Sequence, residues 1–157
     1  MEDGETLCCP KFDPKKWDKK MVTWKRKLFI KDTVFSFFHI PINFGGVVKK
    51  NIKKLEDANA MPKETMILSD EKSLFYSNIY ISTKKAIPGV HDVRVSGTFL
   101  TRVFEGPYKN MKKYIKEMEE YVEAEKQELK HMYFYYPTCP KCSKAYEKNY
   151  VVLFAEI

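Results

Sequence analysis

The stretch that decides the fold has the sequence Gly97-Thr98-Phe99-Leu100-Thr101-Arg102-Val103-Phe104-Glu105-Gly106-Pro107-Tyr108. Its first part is rich in β-branched and aromatic residues, which favour a strand, and its Gly-Pro pair is typical of a sharp turn. Apolar residues then recur at helical spacing, namely Met111, Tyr114, Ile115, Met118 and Val122. Aromatic-rich segments follow at residues 131–136 and 149–157. This order predicts strand, turn, helix, strand, strand.

A similar order lies upstream. Residues 32–41 have strand composition, a helical pattern of apolar residues runs from Phe44 to Leu55, and residues 65–69 and 77–84 again favour strands. Two copies of this order indicate an internal duplication, because a solenoid needs more and shorter repeats. We therefore predict an α+β fold of duplicated βαββ units. They would form a pseudo-symmetric antiparallel sheet with a helix from each repeat on one face and a central ligand cleft.

The length of 157 residues suits a single domain. We divide it into a basic N-terminal arm (1–27), a first βαββ repeat (28–86) and a second βαββ repeat (87–157). No stretch is apolar enough for a membrane helix, and the first residues are acidic rather than a signal peptide. We expect a cytoplasmic protein without membrane association, either a monomer or a weak dimer.

The chain is basic, with a net charge of +7 from 28 Lys and Arg against 21 Asp and Glu. Nine basic and two acidic residues lie between Lys11 and Lys31, so much of the excess is in one segment. That segment suggests an adaptor for nucleic acid or an acidic protein. Nucleic acid is the weaker of these two partners, because no helix-turn-helix or zinc-finger spacing accompanies the charge.

Aromatic residues on the predicted strands favour the wall of a cleft for a hydrophobic or planar small molecule. In the strand Asn78–Ser82, Ile79 and Ile81 point to one face, where we expect the helix, and Tyr80 points to the other. The residues that we predict to bind the ligand are Phe38, Tyr80, Tyr108, Tyr133, Tyr135 and Phe154. Packing in the core is the alternative for such residues.

Few residue patterns point to an enzyme. The chain has neither G-x-S-x-G nor H-E-x-x-H. A carboxylate in an apolar cleft could activate water, because burial raises its pKa towards neutrality. Glu105 and Glu156 are the candidate catalytic residues, although both could equally be solvated.

Two stretches resemble a known family. The sequences Pro88–Phe99 and Val103–Tyr108 are similar to the signature of GyrI-like small-molecule-binding domains, with Gly97 and Gly106-Pro107-Tyr108 as the matching motifs. The resemblance covers about residues 34–157 in architecture and suggests a stand-alone member of the effector-binding domain superfamily. It implies paired βαββ units around a cleft for a planar or hydrophobic molecule. Some stand-alone members of that family hydrolyse reactive cyclopropane-bearing natural products.

One departure from this family concerns its preference for cations. Effector-binding members often carry a Glu two residues before the Tyr of the penultimate strand, and here Tyr133 takes that place ahead of Tyr135. The main prediction is therefore a small-molecule-binding protein for a hydrophobic or aromatic ligand. The alternatives are a small hydrolase that acts on reactive xenobiotics or natural products in the same cleft, and the basic adaptor.

The cysteines form two pairs, Cys8-Cys9 and Cys139-Pro140-Lys141-Cys142. The second pair has the C-x-x-C spacing of a metal knuckle, and the first pair could complete a structural Zn²⁺ site. The alternatives are free thiols, a disulfide or a redox pair. No cofactor fingerprint is present, so we expect no cofactor to be required beyond this zinc.

Overall fold

The computed structural model of the chain describes residues 12–37, 40–41, 44–62, 66–71, 76–137 and 149–157. Its strands and helices are β1 (Lys20–Phe37), β2 (Ile40–Pro41), α1 (Phe44–Asp57), β3 (Ile67–Glu71), β4 (Tyr76–Ser82), β5 (Asp92–Glu105), α2 (Met111–Ala124), β6 (His131–Tyr135) and β7 (Tyr150–Glu156). An α+β fold with an antiparallel sheet and two helices is thus confirmed. The duplication of βαββ units stays a prediction.

The sheet closes into a barrel of six strands in the order β1-β4-β3-β6-β7-β5, and β2 extends β1 at one edge. Closure depends on β1, which is 18 residues long. Its first part, Lys20–Ile30, pairs with β5, and its second part, Phe29–Phe35, pairs with β4. The expectation of an open sheet with a central cleft is therefore corrected, because one long strand joins the two ends of the sheet into a barrel.

A β-bulge makes this closure possible. The register between β1 and β5 shifts between Trp24 and Lys27, where Arg26 has φ of 54° and its amide donates to Ser96 Oγ at 2.8 Å. An extra residue on one strand increases its bend and twist, which a small barrel requires. In a regular strand Trp24 and Phe29, five positions apart, would point to opposite faces. The extra residue of the bulge lets both side chains point into the barrel.

The two helices cover the outside of the barrel. The buried Leu55 of α1 packs with Ile79 and Ile81 of β4, as the alternation along that strand predicted. The buried stripe of α2, which includes Met118 and Val122, packs on a cluster that contains Val151, Leu153 and Ala155 of β7. The helices pack on the outward-facing side chains of the strands, so the side chains of the opposite face line the barrel interior.

The Gly-Pro-Tyr turn joins β5 to α2 through a 3-10 turn at Tyr108–Asn110. Gly106 has φ of 143°, a conformation that favours glycine, and a Cβ there would overlap Tyr114 Oη. Tyr114 Oη in turn donates to Pro107 O at 3.2 Å. The turn is therefore a packed junction between strand and helix, at the same end of the barrel as Glu105 and Tyr150.

That end of the barrel is closed by residues that precede β1. The Trp17 ring packs against Tyr135 and Phe154, with centroids 5.8 and 5.4 Å away, and the Phe12 ring lies 5.0 Å from Tyr150. Thr101 Oγ1 donates to the carbonyl of Trp17. β1 begins at Lys20, so part of the basic segment belongs to the barrel itself. We call this the closed end.

In the part of the chain that the structure describes, neither helix is long and apolar enough to cross a membrane.

Candidate active site

The barrel interior holds an aromatic cluster that includes four of the residues predicted to bind a ligand. Phe154 and Tyr135 are buried, with 0% and 5% exposure, so they are core. Tyr80 and Tyr133 are partly exposed, and their ring centroids lie 6.0 Å apart. The structure therefore brings Tyr80 and Tyr133 together where a ligand could reach them.

The structure does not describe the side chains of the other two predicted ligand contacts, Phe38 and Tyr108. Phe38 lies outside the described residues. The backbone of Tyr108 lies in the 3-10 turn beyond Glu105, away from Tyr80, and its side chain is not described.

A polar cluster lies at the end of the barrel opposite Trp17. Asp70 Oδ1 of β3 lies 2.9 Å from His131 Nε2 of β6, and their side chains are 5% and 33% exposed. Asp70 follows the inward-facing Leu68 by two residues, and His131 precedes Tyr133 by two, so strand alternation places both on the inner face. We call this end, with Asp70, His131, Tyr133 and Glu156, the mouth.

Tyr133 connects this pair to the aromatic interior. Its ring lies 4.6 Å from the His131 ring, edge to face. Burial is the largest of the effects that together raise the pKa of the Tyr133 hydroxyl to about 12, and the charges of Tyr80, Asp70 and Glu156 act in the same direction. Tyr133 therefore keeps its proton at every physiological pH and can act as a hydrogen-bond donor.

Glu156, one of the two acids predicted to be catalytic, lies in the mouth. It is directly opposite His131 on β6 and Phe99 on β5. Its Oε2 lies 3.4 Å from the position that a Cβ on Gly97 would occupy, so the missing side chain at Gly97 makes room for the carboxylate. Gly97 has φ of 155°, which also favours glycine.

Glu105, the other predicted acid, lies elsewhere. It is exposed at the end of β5, opposite Tyr150 of β7, near the closed end. Six residues of an extended strand separate it from Phe99, which pairs with Glu156, and this corresponds to roughly 20 Å. The structure does not bring Glu105 and Glu156 together.

The four cysteines predicted to bind zinc, Cys8, Cys9, Cys139 and Cys142, lie outside the described residues. Phe12, three positions after Cys9, contacts Tyr150, which lies eight positions after Cys142. Within the described ranges, no group of three or more His, Cys, Asp and Glu is arranged to hold a metal ion.

Sequence reasoning missed Asp70 and His131 as a pair. The strand predicted over residues 65–69 ends before Asp70, and His131 is not among the predicted site residues. The available signal was alternation, because Asp70 shares its strand face with Leu68, and His131 shares one with Tyr133 and Tyr135. Only the pairing of β3 with β6 brings those two faces together.

The chain matches a known protein family. The model of a family described as bacterial hydrolase matches residues 1–157. None of the curated proteins matches the chain. The resemblance to GyrI-like domains stays a prediction.

Proposed function

The chain belongs to the bacterial hydrolase family, and we propose that it hydrolyses its substrate in the mouth of the barrel, with His131 as the general base. The observation that carries this proposal is the hydrogen bond between Asp70 and His131. A base that is oriented by a buried carboxylate is the pairing that hydrolytic sites use to deprotonate a nucleophile.

The geometry supports water as the nucleophile. With Nε2–H donated to Asp70 Oδ1, the lone pair of His131 is on Nδ1, and no described residue forms a hydrogen bond to that atom. A water molecule at Nδ1 would lose its proton to the imidazole as its oxygen attacks the substrate. The Asp70 carboxylate would stabilise the imidazolium that forms. General-base catalysis of this kind contributes about 10²–10⁴-fold in rate.

Tyr133 fits the second role that hydrolysis requires. Its hydroxyl, with a pKa of about 12, stays protonated and can donate to the substrate oxygen that becomes negative. One such donor contributes about 10²–10³-fold in kcat. Glu156, beside His131 in the ladder, is the remaining carboxylate of the mouth and could take the proton in place of His131.

The substrate that we propose is hydrophobic or planar, because the partly exposed ring of Tyr133 contacts the base and the partly exposed ring of Tyr80 contacts Tyr133. Reactive xenobiotics or natural products fit this description, in agreement with the GyrI-like resemblance. A small-molecule-binding protein without turnover is the second candidate, and the same two rings favour it.

The test is hydrolysis of a panel of aryl esters, lactones and epoxides, with products followed by mass. We expect His131→Gln and Asp70→Asn to lower kcat by about 10²-fold or more. His91→Gln is the matched control, because His91 is exposed. Equal activity of His131→Gln and His91→Gln would refute the role of His131. Tight binding of panel compounds with no turnover would instead support the second candidate.

The cysteines are part of a separate proposal, a structural zinc site at the closed end. It is supported by the Phe12–Tyr150 contact, which joins a residue three positions after Cys9 to one eight positions after Cys142. About one equivalent of zinc in untagged protein is expected. Less than about half an equivalent, together with four titratable thiols, would remove it.

A further inference from the structure

Five aromatic rings form a closed circuit across the barrel interior. The centroid distances are 5.7 Å for Trp24–Phe29, 6.4 Å for Phe29–Tyr80, 6.0 Å for Tyr80–Tyr133, 6.0 Å for Tyr133–Phe99 and 4.9 Å for Phe99–Trp24. Each ring contacts its two neighbours, and we call this connected cluster the aromatic floor. Trp24, Tyr80 and Tyr133 are its partly exposed members and form the surface that a ligand can reach. Phe29 and Phe99 are fully buried.

A cation lies over one side of this floor. Lys27 Nζ is 5.7 Å from the centroid of Trp24 and 5.9 Å from that of Phe29. Lys27 is partly buried, and no carboxylate of the described residues lies within ion-pair distance of its ammonium. Lys31, two strand positions from Phe29 on the same face and directly opposite Tyr80, has no described ion pair either.

The catalytic candidates lie against a different part of the floor. His131 contacts Tyr133, which reaches Trp24 and Phe29 only through Phe99 on one side and Tyr80 on the other. The floor therefore carries, beside Trp24 and Phe29, an ammonium that forms no ion pair with a described residue, and beside Tyr133 the Asp70–His131 pair. An ammonium that is partly removed from water and unpaired attracts an anion more strongly than one in bulk solvent.

We propose that the substrate is a planar anion: its carboxylate binds the Lys27 ammonium, its flat apolar body lies on the aromatic floor, and its scissile bond faces His131. The position of the scissile bond rests on the proposed hydrolase function. The anion site does not, since it is a property of Lys27 and the rings beneath it.

The test uses two probes of nearly the same shape, 4-nitrobenzoate and the neutral 4-nitrobenzamide. Both quench tryptophan fluorescence, and Trp24 lies beneath Lys27. In the wild-type protein we expect the benzoate to bind about 10-fold more tightly than the benzamide, and high salt to reduce this preference. Lys27→Met should abolish the preference without weakening the benzamide, and Lys27→Arg should keep it.

Lys25→Met is the matched control, because Lys25 is an exposed lysine of the same bulge, and it should leave the preference intact. Equal binding of the two probes by the wild type, or a preference that persists in Lys27→Met, would overturn the anion site. Failure of the hydrolase proposal is seen separately: the benzoate preference would then depend on Lys27 while no ester is turned over.

Discussion

The hydroxyl of Tyr133 gives the site its most specific stability prediction. An unfolded chain ionises tyrosine near pH 10, whereas burial raises the folded pKa of Tyr133 to about 12. The native state therefore keeps a proton that the unfolded state has lost. The contribution of Tyr133 to stability is fully present below pH 10 and is lost as the pH rises towards 12.

The magnitude follows from the size of the shift. Two pH units correspond to about 2.7 kcal/mol, since one unit is about 1.36 kcal/mol. Water that reaches the partly exposed ring screens some of this, so we expect a loss of about 1–2 kcal/mol between pH 9 and pH 12. Urea unfolding followed by circular dichroism, at several pH values in that interval, gives the free energy of unfolding of the wild type and of Tyr133→Phe.

The other tyrosines are present in both proteins, so their contributions to the pH dependence of stability cancel in this comparison. We expect the wild type to lose about 1–2 kcal/mol more than Tyr133→Phe over the interval. Tyr80→Phe is the control: it removes the nearest phenolic charge but leaves the burial of Tyr133, so a smaller loss should remain. Parallel losses in the wild type and Tyr133→Phe would refute the raised pKa of Tyr133.

Three further substitutions test the fold. Gly106→Ala should lower the free energy of urea unfolding by about 2 kcal/mol or more, because the added Cβ meets Tyr114 Oη and the backbone has a positive φ. The loss should be smaller in a Tyr114→Phe background, because the nearest remaining ring atom is then 3.7 Å from that Cβ. Asn51→Ala should cost about 1–3 kcal/mol, because the buried Asn51 Nδ2 donates to Asp32 Oδ2 at 2.8 Å. Burial alone would raise the pKa of Asp32, but its contacts lower the pKa by more, and the hydrogen bond from Asn51 is the largest of these contacts. NMR titration should therefore show a higher Asp32 pKa in Asn51→Ala than in the wild type. Trp17→Ala should lower the free energy of unfolding by about 2–4 kcal/mol, since it opens the closed end of the barrel. Unchanged stability in any of these variants would contradict the corresponding contact.

The secondary structure could be predicted because its signals are local. Alternation along β4 assigned Ile79 and Ile81 to the helix-covered face, and helical spacing identified α1 and α2. Barrel closure could not be predicted in this way. It depends on a bulge at Arg26, whose amide bonds to Ser96 on a strand 70 positions away in the sequence. A bulge has no periodic signal, and its effect is to change the pairing partner of a distant strand.

The candidate site was predicted only in part, because some of its residues have a local signal and others are brought together by long-range strand pairing. Alternation placed Tyr80 on the face away from the helix, and Tyr133 and Glu156 were predicted as a ligand contact and a catalytic acid; all three lie on the inner face. Asp70 and His131 are 61 positions apart, so only the β3–β6 pairing makes them hydrogen-bonded neighbours. A charged residue near the end of a strand is typical of a solvated turn, and burial of Asp70 follows from tertiary structure alone.

The central claim is that His131 activates a water molecule that attacks the substrate directly. A single turnover in H₂¹⁸O, with the most reactive ester of the panel, tests it through the masses of product and protein. The account predicts one ¹⁸O atom in the acid product, unchanged protein mass, and loss of labelled product in His131→Gln. Label in the protein, or product formed by His131→Gln at the wild-type rate, would contradict it.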